Sequence, residues 1–472
     1  MTRSKLICIL LLLVLGASSV GATAAQIADP PVLALVEWTG AATPDLPIYF
    51  FLRDADQRDY ALVIAPLSRL QQSGARYDVL DANAARASDY VIARERRAGA
   101  CADAARSFDV LYDDGRQIVV RLPFDQADAL ATLGFSLHRL NDAPIVLRAA
   151  TPLRAPQATL PDPNVATMIA QVQASTVSDY TARISGEVPA TIDGAPYTII
   201  SRRTNSGTPI QKATQYVFEQ MQALGLTVSY HTWSACGLSN RNVVGEKIGW
   251  TRPDEIVLVV AHLDDLPLIT NAPGADDNAS GSVGVWIAAE ILRQYRFERT
   301  LRFVFFTGEE QGLCGSSRYA AAVAGQNVVA VYNLDMIAWD AVNGPTLRLH
   351  TRRSSDPGYS GDLAIANMFV GVVNAYGLSS ALTPIVDADG EEYSDHASFW
   401  ARGFAGVLAI EDDDDDFNPN YHTTSDRLST LNLTYFTNFV KASVGTAAHL
   451  ALPLPALKPW IIFAPIILRN AP

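Results

Sequence analysis

The sequence predicts an α/β protein with a mostly parallel sheet, and the prediction depends on two observations. Strand-like and helix-like segments alternate between about residues 166 and 452. The strand-like segments are continuous apolar runs, which are typical of strands buried on both faces. These runs are Glu255–Ala261, Leu301–Thr307, Val328–Leu334 and Phe404–Ile410. Such alternation predicts helices on both faces of the sheet.

Helical periodicity lies between these strands and before them. It predicts one helix over each of Ala166–Arg183, Ile210–Leu224 and Ser282–Tyr295. Ser280 stands where an N-cap of the third helix is expected. The sequence contains no internal repeat.

Residues 26–150 form an accessory N-terminal region in which a strand–helix–strand rhythm occurs twice on a smaller scale. The strand-like segments are Tyr60–Ile64, Tyr77–Leu80, Gln117–Arg121 and Phe135–His138, and the helical ones are Leu67–Ser73 and Asp125–Leu133. Two β-α-β units in about 100 residues predict a small α+β domain of the split βαβ, ferredoxin-like type.

The borders of these regions have their own signals. Residues 151–165 (TPLRAPQATLPDPNV) contain four prolines and are expected to be a linker between the N-terminal domain and a domain over 166–452. Residues 453–472 form a C-terminal tail, whose apolar run Trp460–Leu468 is too short to span a bilayer. That run is expected to be a buried terminal strand, with a docking strand or sorting tag as the alternatives.

Residues 1–25 have the parts of a secretory signal peptide. Arg3 and Lys5 precede the apolar run Leu6–Leu15, and Ala22-Thr23-Ala24 supplies a small-x-small exit. A membrane anchor is the alternative, but the run is too short to cross ~30 Å of hydrocarbon. We therefore expect a secreted or extracytoplasmic protein that is free of the membrane once the signal is removed.

Composition excludes several classes of protein. Of the 472 residues, 49% are hydrophobic and 18% are charged, which excludes a disordered chain and a coiled coil. Lys and Arg number 36 against 49 Asp and Glu, giving a net charge of -13. Since nucleic-acid binding needs a basic face, this balance argues against a nucleic-acid partner.

Cysteine usage is consistent with export. Cys8 lies within the signal, which leaves Cys101, Cys236 and Cys314. One disulfide and one free thiol are expected in an oxidising compartment. Cys236 and Cys314 are the pair we favour, and two buried thiols are the alternative.

Polar residues follow the predicted strands where each strand ends. The candidates in chain order are His262, Asp264, Asp276, Asp277, Glu309, Glu310, Asp335, Tyr421 and His422. Because ligands bind outside the carboxyl ends of strands in open α/β sheets, these side chains are expected to converge on one rim.

Several carboxylates in contact at such a rim repel one another unless cations neutralise them. Two histidines with carboxylates are a ligand set that zinc takes. Copper or iron–sulfur chemistry would require thiolates, which are missing from these motifs. Five or more candidate ligands indicate two metals ~3.5–4 Å apart, bridged by a carboxylate and a water.

Five motifs in this order resemble those of the secreted di-zinc aminopeptidases, a family that includes bacterial leucyl aminopeptidases and has the glutamate carboxypeptidases as relatives. The motifs are Ala261-His-Leu-Asp-Asp, Gly274-Ala-Asp-Asp-Asn-Ala-Ser-Gly, Thr307-Gly-Glu-Glu-Gln-Gly, Asn333-Leu-Asp-Met and Asn420-Tyr-His-Thr-Thr-Ser-Asp. The resemblance covers roughly 166–452. It implies a three-layer αβα sandwich on a mixed, twisted sheet, and two Zn²⁺ per chain.

The resemblance also implies a role for each residue. The metal ligands would be His262, Asp277 (bridging), Glu310, Asp335 and His422. Glu309 would be the general base, Tyr421 would donate to the developing oxyanion, and Asp264 would hold the His262 ring. Adjacent residues at a strand end point different ways, which suits Glu310 to the metal and Glu309 to the substrate.

Other polar residues have plainer interpretations. Asp276 is expected to be a helix cap, and Asp426 either orients the His422 loop or caps a turn. Ser394–Phe399 resembles a family segment near the substrate pocket. Ser394 is not expected to be a nucleophile, because no Gly-x-Ser-x-Gly elbow precedes the segment. The acidic run Glu411–Asp416 is expected to be a solvated loop, with a Ca²⁺ site as the less favoured alternative.

Together these features predict an exported zinc exopeptidase that removes N-terminal residues from peptides. A carboxypeptidase or dipeptidase of the same fold is one alternative, and a non-catalytic binding module on that fold is another. The one-zinc glutaminyl cyclase relatives are disfavoured because all five ligands are present. By the same resemblance, the N-terminal domain is expected to be propeptide-like or inhibitory.

Overall fold

The computed structural model describes residues 29–38, 46–84, 86–147, 161–266 and 272–455. The predicted signal (1–25), residues 151–160 of the predicted linker and the tail beyond 455 lie outside these ranges. Within them, no helix is both long and apolar enough to cross a bilayer.

The larger part of the chain is built on one eight-stranded mixed sheet, which a separate two-stranded sheet of β9 (Ala190–Ile192) and β10 (Ala195–Tyr197) precedes in the chain. Its strands are β11 (Thr227–Ala235), β12 (Leu238–Lys247), β13 (Arg252–His262), β14 (Arg299–Phe306), β15 (Val328–Leu334), β16 (Thr346–His350), β17 (Thr383–Asp387) and β18 (Gly406–Glu411). Their order is β11-β12-β14-β13-β15-β18-β16-β17. The four central strands β14-β13-β15-β18 are parallel, as is the edge pair β16-β17, whereas the other neighbours are antiparallel.

Helices cover both faces of this sheet. They are α4 (Pro163–Ala170), α5 (Ala174–Ile184), α6 (Thr208–Ala223), α7 (Gly281–Leu292), α8 (Cys314–Ala322), α9 (Tyr359–Ala375), α10 (His396–Trp400) and α11 (Leu433–Leu450). Alternate residues of β13 belong to different cores: Val257 and Val259 pack with α4–α7, α9 and α11, whereas Leu258 and Val260 pack with α8 and α10. The predicted three-layer sandwich is confirmed.

Two local predictions are wrong. The single helix predicted over Ala166–Arg183 is two helices, α4 and α5, because Gln173 is extended (φ -114°, ψ 134°) although no proline or glycine marks the break. Ser280 does not cap α7, since its own backbone is helical and its hydroxyl donates to the carbonyl of Asp276 (2.7 Å) and accepts from the amide of Ile337 (2.9 Å).

The N-terminal region contains two small antiparallel sheets where the sequence predicted one. The first has β1 (Pro31–Glu37), β2 (Ile48–Arg53), β3 (Asp59–Pro66) and β4 (Tyr77–Asp81), in the order β2-β3-β1-β4. The second has β5 (Tyr90–Glu95), β6 (Asp109–Asp113), β7 (Gln117–Arg121) and β8 (Phe135–Arg139), in the order β6-β7-β5-β8. The helices are α1 (Leu67–Ser73), α2 (Ala100–Ala104) and α3 (Ala127–Ala131).

The two small sheets have the same strand order and pack face to face. The second follows the β-α-β-β-α-β connection of a split βαβ fold. Leu33 and Leu35 of β1 share a core with Tyr90 and Ile92 of β5. Helix α1 covers the outer face of the first sheet, and α2 and α3 cover that of the second. We call this unit, residues 29–147, the N-terminal module.

The N-terminal module is joined to the sandwich by a network of ion pairs. Arg96 of the module donates to Glu391 (3.0 Å) and Asp413 (3.1 Å), and Arg94 pairs with the same Glu391. On the sandwich side, Asp413 also accepts from His350 at 2.9 Å.

His350 lies between two carboxylates, with Nδ1 3.0 Å from Asp389 Oδ2 and Nε2 2.9 Å from Asp413 Oδ1. Burial lowers the pKa of His350, but the two aspartates outweigh it and raise the pKa to about 10. The charged imidazole therefore stabilises the folded chain below its unfolded pKa of ~6.5, and this contribution is lost as the pH rises through the folded value.

We predict that His350→Asn destabilises the protein by about 3 kcal/mol near pH 6, because it removes the cation between Asp389 and Asp413 and leaves buried Asp413 with Arg96 as its remaining ion-pair partner. The loss should shrink as the pH approaches 10, and thermal unfolding of both proteins across this range measures it. The control is His231→Asn, since His231 is half-buried and its pKa is lowered by burial. A His350→Asn deficit that stays constant from pH 6 to 10 would contradict the prediction.

Candidate active site

Three parallel strands bring the first polar groups together. His262 is the last residue of β13 and is level with Phe306, the last residue of β14. Glu309 and Glu310 follow β14, and Asp335 follows β15 on the other side of β13. The carboxyl ends of these strands therefore form the predicted rim.

Asp277 reaches the same rim from the turn before α7, where the Asp277–Asn278 peptide bond is cis. The carboxylate of Asp426 accepts from the backbone amides of Asp276 and Asp277, both at 2.9 Å. Asn278 donates to the carbonyl of Leu334 at 3.0 Å and so fixes the turn to the end of β15. Of the two roles considered for Asp426, these bonds correspond to capping a turn, here the one that carries Asp277.

The predicted ligands form two buried clusters that share Asp277. In the first, His262 Nε2 lies 3.4 Å from Asp277 Oδ1 and 3.2 Å from Asp335 Oδ1. In the second, His422 Nε2 lies 3.3 Å from Asp277 Oδ2 and 2.8 Å from Glu310 Oε2. The structure thus brings together all five of these residues.

The electrostatics of the clusters reflect buried like charges. Burial and the Asp277 carboxylate raise the pKa of Glu310 to about 8. Burial lowers the pKa of His422, but Glu310 and Asp277 outweigh it and raise the pKa to about 10. For Asp277, the two histidines outweigh burial and lower the pKa.

Glu309 belongs to neither cluster. Its Oε2 lies 4.0 Å from His262 Nε2, and its side chain lines the small cavity at the rim. Burial raises the pKa of Glu309 well above the ordinary value, and the carboxylates of Glu310 and Asp335 raise it further. It is a carboxylate beside both clusters that remains available to a reactant.

Asp264 holds the site differently from the prediction. The His262 ring is hydrogen-bonded through Nδ1 to the backbone carbonyl of Asp264 at 3.1 Å, while the carboxylate is 3.8 Å away. That carboxylate accepts instead from Thr204 Oγ1 (2.8 Å) and from the amides of Glu309 (3.3 Å) and Glu310 (3.4 Å). Asp264 therefore positions both glutamates as well as the histidine.

Tyr421 lies at the cavity wall, with its ring stacked on His422 at a centroid distance of 3.6 Å. Its hydroxyl is hydrogen-bonded to Ser136 of the N-terminal module at 3.0 Å.

Ser394, Asp395 and His396 do not form a triad. Ser394 Oγ donates to Asp335 Oδ2 at 2.5 Å, and the His396 ring is bonded to the carbonyl of Glu391 at 2.7 Å. Ser394 thus orients a member of the first cluster, in agreement with its rejection as a nucleophile.

The interpretation of Asp276 as a helix cap is wrong. Its carboxylate is fully buried and accepts from the amide of Ala338 (3.1 Å) and from Asn418 Nδ2 (2.8 Å). Asp276 therefore connects the turn before α7 to the segments after β15 and β18, and does not close a helix.

The interpretation of Glu411–Asp416 as a solvated loop holds for Asp414 and Asp415, which are exposed, and is wrong for the first half of the run. Glu411, Asp412 and Asp413 are buried. Glu411 accepts from the Trp339 amide, Asp412 pairs with Arg348, and Asp413 pairs with His350 and Arg96. Asp414 pairs with Arg94, and Asp416 accepts from the Trp339 indole and from two further backbone amides. Because its carboxylates serve cationic side chains and amides, the run acts as an ion-pair network, which gives no support to the Ca²⁺ alternative.

Cys236 and Cys314 form the favoured disulfide, with their Cα atoms 6.1 Å apart. Cys101 is a buried free thiol. The disulfide links the end of β11 to the start of α8, four residues after Glu310.

The N-terminal module covers the rim. The carbonyl of Ala131 is bonded to His422 Nδ1 at 3.0 Å, and Asp128 accepts from Gln311 at 2.7 Å. Gly312 of the sandwich is packed so closely against the module that a Cβ there would lie 2.8 Å from Arg139. The cavity that reaches His262 and Glu309 measures about 20 Å³, which is room for about one water molecule.

The residues of the clusters fit metal ions. Asp277 Oδ2, Glu310 Oε1 and His422 Nε2 are buried and make no hydrogen bond of acceptable geometry in the described part of the chain, although His422 Nε2 is within ion-pair distance of both carboxylates. Buried polar atoms are normally paired, and converging unpaired donor atoms of this kind are accounted for by a shared cation. Imidazole nitrogen with carboxylate oxygen is a donor set that zinc takes.

Comparisons with known proteins agree with this arrangement. The model of "Peptidase family M28" matches residues 242–446. Leucine aminopeptidase 1 of Arthroderma gypseum is 33% identical over 216 residues, which cover 42% of this chain and 56% of that protein. Leucine aminopeptidase 1 of Trichophyton rubrum is 32% identical over 260 residues, covering 51% and 67%.

Among solved structures, LapB of Legionella pneumophila matches 77% of this chain and 99% of its own at a TM-score of 0.58 and 19% identity. At this level of identity, the likeness to LapB shows a shared fold and nothing further. The match spans little more than half the length of the Arthroderma relative. From the family model and the Trichophyton relative, the chain belongs to peptidase family M28.

Proposed function

We propose that the protein is an exported zinc aminopeptidase that hydrolyses N-terminal residues from peptides. The observation that carries the proposal is the pair of buried ligand clusters that share Asp277, with the free carboxylate of Glu309 beside them. This arrangement suits hydrolysis because a nucleophilic water and a proton acceptor can lie side by side.

In this proposal two zinc ions are held by the chain, one by His262, Asp277 and Asp335 and the other by Asp277, Glu310 and His422. Bound there, the ions would supply Lewis acidity and lower the pKa of water from 15.7 toward ~7. Asp264, Ser394 and Asp426 act as positioning residues through the hydrogen bonds that hold the rim.

The chain's own groups would move the protons. Glu309 accepts a proton from the attacking water and delivers it to the leaving amine. The Tyr421 hydroxyl donates to the carbonyl oxygen as negative charge develops there, a contribution typically worth ~3–4 kcal/mol. For this role Tyr421 has to exchange its bond with Ser136 for one with the substrate.

The choice of an aminopeptidase is supported by the relatives, two of which are named leucine aminopeptidase 1. Export is supported by the N-terminal signal pattern and by the Cys236–Cys314 disulfide, since disulfides persist in oxidising compartments.

We also propose that the N-terminal module inhibits the enzyme while it is attached. A cavity with room for about one water cannot admit a peptide. The module both closes that cavity and engages two predicted site residues, Tyr421 through Ser136 and His422 through the Ala131 carbonyl.

We expect cleavage of the chain within residues 148–160 to raise activity on an unblocked leucine anilide by at least tenfold. A specific protease site inserted there and a rate measured before and after cleavage provide the test. The uncut double variant Arg94→Glu/Arg96→Glu should also gain activity, because the new glutamates repel Glu391 and Asp413 and weaken docking of the module. The matched control is Arg76→Glu, an exposed arginine of the same module that lies away from Glu391 and Asp413. Full activity of the uncut wild type would refute inhibition.

The cleaved enzyme should require a free N-terminal amine. We expect it to hydrolyse leucine anilide at least 100-fold faster than the N-acetylated form, as measured by kcat/KM. Equal rates on both substrates would exclude an aminopeptidase and favour another hydrolase of the same fold.

Glu309→Ala should lower kcat of the cleaved enzyme by about 10²–10⁴-fold, because it removes the proton acceptor. Its zinc content should remain that of the wild type, since Glu309 lies outside both clusters. Glu219→Ala, on the outer helix α6, is the control. Turnover that survives Glu309→Ala, or zinc that is lost with it, would contradict the assigned role.

A further inference from the structure

A second, larger cavity lies between the N-terminal module and the sandwich, away from the catalytic cavity. Its volume is about 470 Å³, within the range of small-molecule sites. The module contributes Arg86, Phe124, Arg139 and Asp142, and the sandwich contributes Arg318, Arg402 and the Cys236–Cys314 disulfide. The cavity is therefore formed only when the two parts are in contact.

The lining is strongly basic although the whole chain has a net charge of -13. Among the described residues, four arginines line the cavity, and Asp142 is the one carboxylate. Asp142 forms a salt bridge with Arg318 at 2.8 Å, and Arg86 forms one with Asp89 at 2.8 Å. Arg139 and Arg402 therefore remain without a carboxylate partner in the described part of the chain.

Arg139 gives the strongest indication that this cavity binds an anion. It is 4% exposed, and its Nε and Nη2 atoms have no hydrogen-bond partner among the described residues. Its Nη1 donates to the carbonyls of Ser88 (2.8 Å) and Leu122 (3.1 Å), and its guanidinium lies 4.9 Å from the Phe124 ring centroid. Since a buried cation with free donors is costly, an anion is the group that would complete this site.

We propose that this cavity binds a small multivalent oxyanion, which bridges the module's Arg139 to Arg402 of the sandwich. Guanidinium groups recognise the oxygens of sulfate, phosphate and carboxylate groups through paired N–H donors. The anion relieves the repulsion of like charges across the contact and thereby strengthens docking of the module. The proposal rests on the cavity alone and holds whether or not the enzyme is a peptidase.

The test is thermal unfolding of the full, uncut chain in increasing sulfate, and in parallel increasing succinate, with sodium chloride balancing the ionic strength. We expect saturable stabilisation by at least one of the two anions. Stronger stabilisation by sulfate would assign a tetrahedral oxyanion, and stronger stabilisation by succinate a dicarboxylate. No saturable effect of either beyond that of chloride would overturn the proposal.

Variants then locate the effect. Arg402→Gln should weaken the apparent affinity about tenfold or more. Stability without the anion should be unchanged or slightly raised, because Arg402 has no partner in the described structure and its removal takes away one of the repelling charges. Arg139→Gln should abolish binding, but its loss of two backbone contacts can also impair folding, so Arg402→Gln decides the matter. Arg116→Gln, outside this cavity, is the control. Equal loss in Arg402→Gln and Arg116→Gln would show that the anion acts elsewhere and overturn the proposal.

Discussion

The constraint on which the site depends is the mutual repulsion of buried carboxylates. Asp277, Glu310 and Asp335 face two histidines at 2.8–3.4 Å, and Glu309 lies beside them. Burial and the neighbouring carboxylates outweigh the histidines and raise the pKa of Glu309 and Glu310, which means that the folded chain disfavours their charged forms. In our account two dications offset this cost, and the catalytic arrangement follows from where they lie.

Much of the surrounding structure serves to hold that arrangement. Asp426 fixes the backbone on which Asp277 is carried, and Asp264 fixes the backbone of both glutamates. Neither residue contributes an atom to the two clusters, yet each is buried and directed at the amides of residues that do. Loss of rigid support of this kind typically lowers metal affinity or activity about 10–100-fold.

The sandwich and the convergence of site residues could be predicted from sequence because apolar strands mark the sheet, and parallel strands bring their ends to one edge. An inhibitory role of the N-terminal module was expected from the family resemblance, but its contacts with the site could not be predicted. Its contact with His422 is a backbone carbonyl, at Ala131, which any residue could supply. The acidic run was misread because its partners, Arg96 and Arg348, are distant in sequence. The break at Gln173 has no local signal either.

In our proposal the chain joins a hydrolytic site to a module whose docking controls access to it. The most direct test of the central claim is the metal content of the purified protein, with anomalous scattering to locate the ions. The account predicts two zinc ions per chain, at His262–Asp277–Asp335 and at Asp277–Glu310–His422, and complete loss of activity when a chelator removes them. An active protein that contains no metal, or whose activity is unchanged by the chelator, would contradict it.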